Sequence, residues 1–349
     1  MASNEQTTIF VDPEPWRVTD GPLLLLAGPG TGKTHQLALR IKDLVTTRTV
    51  SPESVTVITF TKAAASNMRD RISDEGKADV YLPPNLRPRK IMTMHSLGLE
   101  IVRKNAGALA LPPDFTILSD PRVRKILFQD AAVLANEEPA AAEEAAQTRQ
   151  EGRVCVPGSP AAKVLGRYEE ILRACKAVDY DDLIFLACTV LEQDPAVLRD
   201  YAHESTHLLV DEYQDINQSQ RAFIELLVRQ NRAGLFAVGD DDQSIYSFRG
   251  GTPEYIRSFR TEFGDGARIL SLDESRRCPS TVMNSALAVV QQFNSARLAK
   301  PTPTFKGARS AGNKIQIHSV ATDDHEAMII ATIAADPITT QKRLLKTSA

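Results

Sequence analysis

Residues 23–34 read LLLLAGPGTGKT, a short apolar run joined to a glycine-rich turn that ends in Lys-Thr. Leu23–Ala27 has the length of a strand, and a glycine-rich turn closing on GKT is the loop in which successive backbone N–H groups point at phosphate oxygens. Gly28, Gly30 and Gly32 supply the bend, Lys33 reaches terminal phosphates, and the Thr34 hydroxyl suits a Mg²⁺ ligand. The stretch Ala27, Gly28, Pro29, Gly30, Thr31, Gly32, Lys33, Thr34 and His35 is therefore a candidate nucleotide cradle. Ala27 stands where the full pattern has glycine, which touches turn geometry and leaves the charge and metal positions intact. The helix expected next adds its positive N-terminal end.

Outward from this loop, short aliphatic runs alternate with helical segments, the signature of an α/β protein with a parallel sheet covered by helices. Further candidate strands are Val55–Phe60, Ile91–His95, His207–Glu212, Leu235–Asp240 and Ile269–Leu272. Helical stretches follow at Thr34–Val45, Lys62–Ile72, Ser96–Lys104, Ser219–Arg229 and Ser280–Asn294. The alternation breaks between about Asp120 and Ala202, where Arg122–Leu134, Lys163–Ala174 and Tyr180–Leu191 read as helices. There the Ala/Glu-rich Asn136–Glu151 reads as a surface helix or mobile loop. The expected organisation is a nucleotide-binding domain in two parts, 1–120 and 206–280, interrupted by an all-helical insertion at 121–205 and followed by a further unit at 281–349.

Composition narrows the function classes. The 349 residues are 42% apolar and 24% charged, ordinary for a soluble protein of two or three domains. A net charge of −3, from 41 Lys and Arg against 44 Asp and Glu, excludes a globally basic nucleic-acid-coating protein, so any nucleic-acid contact is local. The apolar run Leu23–Ala27 is far too short for a membrane span or signal core. Cys155, Cys175, Cys188 and Cys278 lie too far apart for a CxxC-type metal pattern and read as reduced thiols of a cytoplasmic protein.

Two further strand ends carry chemistry. In LLVDEYQD, Leu208–Asp215, an apolar run ends in carboxylates. Alone this is an ordinary solvated strand end; beside a phosphate loop, Asp211 becomes a Mg²⁺ ligand through water and Glu212 the base for an attacking water. In VGDDDQSIYSFRGG, Val238–Gly251, Gln243 both donates and accepts, which suits a sensor of a γ-phosphate. Tyr246, Phe248 and Arg249 then offer ring faces and a guanidinium, either to stack on single-stranded bases or to pack the loop against its domain.

AGPGTGKT, TFTKAAASNMRDRI, TMHSLG, DEYQD, GDDDQSIYSFRGG and LDESRRCPS, spread over roughly residues 20–300, together resemble the UvrD/Rep-type superfamily 1 DNA helicases. The resemblance implies RecA-like domains with Mg-ATP between them and 3′ to 5′ movement on single-stranded DNA. It assigns catalytic positions to Lys33, Glu212, Gln243 and Arg277 and metal positions to Thr34 and Asp211. It puts Arg276 where the family has an aromatic residue stacked on adenine, and DNA contacts at Phe60, Thr61, Thr93, His95, Tyr246, Phe248 and Arg249. His95 equally fits a core histidine, and the carboxylates of YDDLI, Tyr180–Ile184, read as a helix cap. Trp16–Arg17 occupy the place of the family's adenine-reading glutamine, with Trp16 read as a packed anchor.

After LDESRRCPS come a strand-like Lys314–Val320, a helix-like Asp324–Ala335 and a basic tail, Gln341–Ala349, without TxHxxKG-like or VAxTR-like segments. The expectation is an incomplete second RecA-like domain: an ATP-binding helicase portion, incomplete as a motor alone, completed by a protein or chain that supplies the second motor domain. The competing expectation is a non-translocating ATP- and DNA-binding module acting with a partner. A small-molecule kinase is disfavoured because no lid-like arginine cluster is apparent.

Overall fold

In the computed structural model the described residues are 9–18, 20–293, 296–301, 304–305, 315 and 317–335. The apolar runs become one sheet because both faces of each are covered: Leu23, Leu24, Leu25 and Leu26 are all at most 1% exposed. In chain order the strands are β1 (Phe10–Val11), β2 (Leu23–Ala27), β3 (Val55–Thr59), β4 (Lys90–Thr93), β5 (Thr116–Leu118), β6 (Ala177–Asp179), β7 (His207–Val210), β8 (Leu235–Gly239), β9 (Arg268–Leu272), β10 (Glu274–Ser275) and β11 (Thr304–Phe305). The helices are α1 (Lys33–Lys42), α2 (Lys62–Ser73), α3 (Met94–Lys104), α4 (Pro121–Ala135), α5 (Pro139–Gln150), α6 (Pro160–Ala174), α7 (Asp182–Gln193), α8 (Pro195–Glu204), α9 (Gln218–Val228), α10 (Glu254–Arg257), α11 (Phe259–Phe263), α12 (Ser280–Phe293) and α13 (Asp323–Ala335).

Seven strands pair in parallel in the order β1-β9-β2-β8-β7-β3-β4. Leu25 lies opposite Val238 on one side and Leu270 on the other. Strand alternation then divides the core. Leu23 and Leu25 join Leu37, Ile41, Val57 and Phe236 on one face, while Leu24 and Leu26 join Ile58, Leu97, Leu208 and Phe223 on the other. Each buried leucine contributes roughly 1.5–3 kcal/mol, so the strand under the phosphate loop is anchored from both sides. The edge strand β1, too short to show a pattern, was not expected from the sequence.

The strands stop earlier than their apolar runs suggest, and that matters for the site. β7 ends at Val210 and β8 at Gly239, which leaves Asp211, Glu212 and Asp240 in the loops beyond the sheet. β4 ends at Thr93, whose Oγ1 accepts from Ser96 N (3.2 Å) and so starts α3 at Met94. His95 therefore lies in the first turn of a helix, not at a strand end.

Of the two readings of Asn136–Glu151 the structure takes the helix, and α5 buries Ala141, Ala142 and Ala145 in a core with Phe128, Val164 and Tyr168 of α4 and α6. The insertion differs from its expectation in two other respects. The parallel pair β5–β6 means the region is not purely helical. The YDDLI carboxylates do not cap α7, since Asp181 makes no side-chain cap bond. Instead Asp181 pairs with Arg124 (3.0 Å) and Asp182, buried in the first turn, pairs with Arg149. α7 itself packs on the sheet unit, with Ile184, Ala187 and Leu191 in the core that contains Leu97 and Phe223.

Farther on, β10 pairs in parallel with β11, and α13 buries no residue. Ile315 and Ile317–Val320 form no strand; Lys314, Gln316 and the basic tail 341–349 lie outside the described residues. No helix among the described residues is long and apolar enough to cross a membrane.

Candidate functional site

The cradle takes its shape from backbone that only glycine accepts readily. Gly30 (φ +77°) and Gly32 (φ +100°) occupy the left-handed region, and Gly32 caps α1 so that the helix begins at Lys33. A Cβ on Gly30 would meet Arg277 Cβ at 2.4 Å. That closeness reflects a docked strand end: Arg276 N donates to Gly30 O (3.0 Å) and Ser275 Oγ to Pro29 O (2.8 Å). Arg276 and Arg277 thus flank the phosphate loop, both exposed. Thr31 Oγ1 closes the loop on Gly28 O (2.8 Å), and Ala27 is the fully buried last residue of β2. His35 faces Asp79 (3.5 Å); burial, outweighing Asp79 and aided by Arg71 and Arg276, lowers its pKa. The Trp16 carbonyl accepts from Arg40 Nη1 (2.9 Å), and its half-buried ring carries the Arg17 guanidinium at 4.6 Å.

Lys33 links the three motif loops. Its Nζ donates to Glu212 Oε2 (2.7 Å) and Gln243 Oε1 (3.4 Å), using two of the ammonium's three donors. Glu212 is held in the left-handed region (φ +54°), a conformation that costs a non-glycine residue roughly 1–3 kcal/mol and persists only where neighbours enforce it. The enforcing neighbour is Gln214, whose Nε2 donates to Glu212 Oε2 (2.9 Å) and Asp215 Oδ2 (3.1 Å) while its Oε1 accepts from Asp240 N (3.0 Å). Burial, with Glu212 adding to it and Lys33 opposing, raises Asp211 to about 6. Burial and Glu212 likewise raise Asp215, to about 7. A buried carboxyl destabilised by a like charge is an oxygen donor that a hard divalent cation would relieve, and Thr34, in the first turn of α1, offers a hydroxyl oxygen as a second. Mg²⁺ fits these residues.

The expected DNA residues separate into two groups. Phe60 stacks on Tyr246 (5.0 Å), Tyr246 contacts Phe248 (5.9 Å), and the Arg249 guanidinium lies over both rings (5.4 and 5.6 Å). Phe248 is 69% exposed, so the cluster presents a ring face to solvent. Thr61 caps α2 by accepting from Ala64 N (3.0 Å), which leaves its O–H to donate. His95 stacks on Tyr180 (4.3 Å), and burial lowers it to about 4, so it is neutral at pH 7. Thr93 is not brought to this face: it is buried, its hydroxyl engaged with Ser96.

A cavity of about 440 Å³ joins the two halves of the site, with Asp211, Glu212 and Asp215 on one wall and Phe60, Thr61, His95, Tyr180 and Arg249 on the others. Gln150, at the end of α5, also lines it and donates from Nε2 to Phe248 O (2.6 Å). Gly250 (φ +82°) lies so close that a Cβ there would meet Gln150 O at 2.6 Å. Sequence reading missed Gln150 and Gln214. Gln214 lies inside DEYQD and was within reach; no local signal marks Gln150.

A parallel sheet with a glycine-rich phosphate loop at one strand tip, and carboxylate and glutamine loops at the tips beside it, defines a RecA-like P-loop domain. The UvrD/REP helicase N-terminal domain matches residues 12–264, and the chain belongs to that family. It is 32% identical over 340 residues to the ATP-dependent DNA helicase PcrA of Staphylococcus aureus, covering 90% of this chain and 43% of that protein. The PcrA proteins of Leuconostoc citreum and Staphylococcus epidermidis are each 31% identical over 328 and 326 residues, covering 42% and 43% of their lengths. The chain therefore spans less than half the length of these relatives.

Proposed function

We propose that this chain binds and hydrolyses Mg-ATP in response to single-stranded DNA, as the ATP-binding portion of a cytoplasmic superfamily 1 DNA helicase moving 3′ to 5′. The observation that carries the reading is one cavity walled both by the ATPase carboxylates and by Phe60 and Arg249 of the aromatic cluster, because a motor must connect these two surfaces. Lys33, with the cradle amides of Gly30, Gly32 and Thr34, holds the phosphates. Glu212 orients and deprotonates the lytic water, Gln243 reads the γ-phosphate, and Arg277 neutralises charge on it. Arg276 covers the base. Thr34 and Asp211 hold Mg²⁺, which when bound offsets the charge of the phosphate oxygens. Phe60, Tyr246, Phe248 and Arg249 stack on bases, while Thr61 and the amides of α2 hold a DNA phosphate. His95, being neutral, serves as a ring and not as a counter-charge. A further motor domain, in the same polypeptide or a partner, closes over the nucleotide in this reading.

Steady-state ATP hydrolysis by the purified chain, with and without a single-stranded oligonucleotide and with Glu212→Gln as blank, tests it. Stimulation by the oligonucleotide is expected. Hydrolysis indifferent to DNA would sink the proposed connection. Mg-ATP binding without hydrolysis would favour the non-translocating module.

A further inference from the structure

Asp240, Asp241 and Asp242 follow β8 directly before Gln243, with carboxylate oxygens within 4.8 Å of one another. Three like charges so close and so buried stay together only if cations and hydrogen bonds offset them. The offset comes from a segment beyond α12. Lys300, its side chain 11% exposed, bonds Asp240 and lies 2.6 Å from Asp241 and 2.7 Å from Asp242. Arg297 grips Asp242 through Nε (3.0 Å) and Nη2 (2.6 Å), and Leu298 N donates to Asp241 Oδ2 (2.8 Å). Arg257 of α10 adds a longer contact to Asp241 (3.5 Å). The Lys300 ammonium thus fills the position that a divalent ion would take among three carboxylates.

Asp240 faces two ways. Its Oδ1 takes Lys300, and its Oδ2 accepts from Gln243 Nε2 at 2.5 Å. With its NH₂ held there, the Gln243 amide turns its oxygen toward Lys33 (3.4 Å). A glutamine amide has two nearly isosteric orientations, and a fixed carboxylate on one side selects between them. We propose that Lys300 is a positioning residue: by pairing with Asp240 it fixes the carboxylate against which the Gln243 amide is oriented, so that the segment following α12 sets the γ-phosphate sensor. This rests on the reading of Gln243 as that sensor.

Equilibrium binding of Mg-ADP and of the non-hydrolysable triphosphate Mg-AMPPNP to the full chain tests the proposal without requiring turnover. Wild type is expected to prefer the triphosphate. Lys300→Met should lower that preference about tenfold, the size of one hydrogen bond to a charged group, with the Kd for Mg-ADP unchanged. Gln243→Ala should lose the same amount, and the double variant no more than Gln243→Ala alone, as expected of two residues acting in one line. Lys300→Arg should retain most of the preference. Should Lys300→Met fail to fold with its aspartates unpaired, Lys300→Met combined with Asp241→Asn removes one charge of each sign and should show the same lost preference. A preference that survives in these variants, or additive losses in the double variant, overturns the role of Lys300 alone. A wild type that binds both nucleotides equally overturns the sensor reading and this inference with it.

Discussion

The phosphate cradle and the aromatic loop both lie beyond the C-terminal ends of parallel strands, yet they are held in place differently. The cradle's parts follow buried strands and bind one another: Lys33 meets Glu212 and Gln243, and Gln214 ties Glu212 to Asp240. Loop Ser244–Gly251 is largely exposed, with Ile245 and Phe248 each at 69%, and a helix of the insertion about a hundred residues earlier in the chain grips it through Gln150. Groups that do chemistry are thus placed by the sheet that carries them. The proposed DNA surface is placed instead by a neighbouring helix of the insertion.

The sharpest way to break this comparison lies in the cradle. Glu212→Gln should lower turnover by about 10²–10⁴-fold, the usual contribution of a general base, while Mg-ATP still binds. Binding should be no weaker than in wild type, because Lys33 then loses an anionic competitor for the phosphates. Lys33→Ala should instead lose nucleotide binding, read by equilibrium titration. Equal loss of binding in the two variants would mean that Glu212 supports the fold of the cradle and not its chemistry.

His95 gives the next largest effect and belongs to the seam between the regions. Burial lowers its pKa from 6.5 to about 4, so between these values the unfolded chain binds the proton and the folded chain does not. Its contribution is fully present above pH 6.5 and is lost as pH falls toward 4, amounting to about 3 kcal/mol over that range. Denaturant unfolding at pH 4.5 and 7 should show this slope in wild type and a shallower one in His95→Gln. An identical slope in both would place the acid sensitivity elsewhere.

How much of this was legible follows from where each constraint is local. The cradle was readable because its glycines, lysine and threonine are contiguous, and β2 has the bounds the apolar run suggested, Leu23–Ala27. Strand ends were overread: Asp211 and Glu212 continue the run of β7 in sequence but leave the sheet, since Glu212 takes a left-handed turn that no local propensity favours. The YDDLI carboxylates were misread as caps because their partners, Arg124 and Arg149, lie 33 to 57 residues earlier in sequence. Thr93 carries the residue type of a phosphate contact, and only the packing of β4 and α3 shows that it is turned inward. For the YDDLI carboxylates the missing information was a partner distant in the chain; for Glu212 and Thr93 it was a turn and a cap made with near neighbours, Gln214 and Ser96, which residue type alone does not announce.

On the exposed side, Phe248→Ala should weaken single-stranded DNA binding by about 1–3 kcal/mol, the range for one base–aromatic stack, without changing ATP affinity in the absence of DNA. Fluorescence anisotropy of a labelled oligonucleotide reads the first quantity and nucleotide titration the second. An unchanged DNA isotherm would return the Phe248 ring to a packing role and remove the functional half of the comparison.

The smallest effect tests the comparison most directly. Gln150→Ala removes the amide that donates to Phe248 O and leaves the aromatic rings untouched. A single neutral hydrogen bond contributes roughly 0.5–1.5 kcal/mol, so DNA affinity should fall by only a few-fold, with nucleotide affinity and thermal stability near wild type. If Gln150 acts by holding the loop, its loss should largely vanish in a Phe248→Ala background, because the ring it positions is already gone. Gln150→Glu should be worse than alanine, since a carboxylate facing a carbonyl oxygen repels where the amide donated. An affinity unchanged by either substitution would mean that the turn at Gly250 and the stack of Tyr246 on Phe60 hold the loop unaided. The insertion would then be a bystander, and the aromatic loop would be as self-contained as the cradle it was contrasted with.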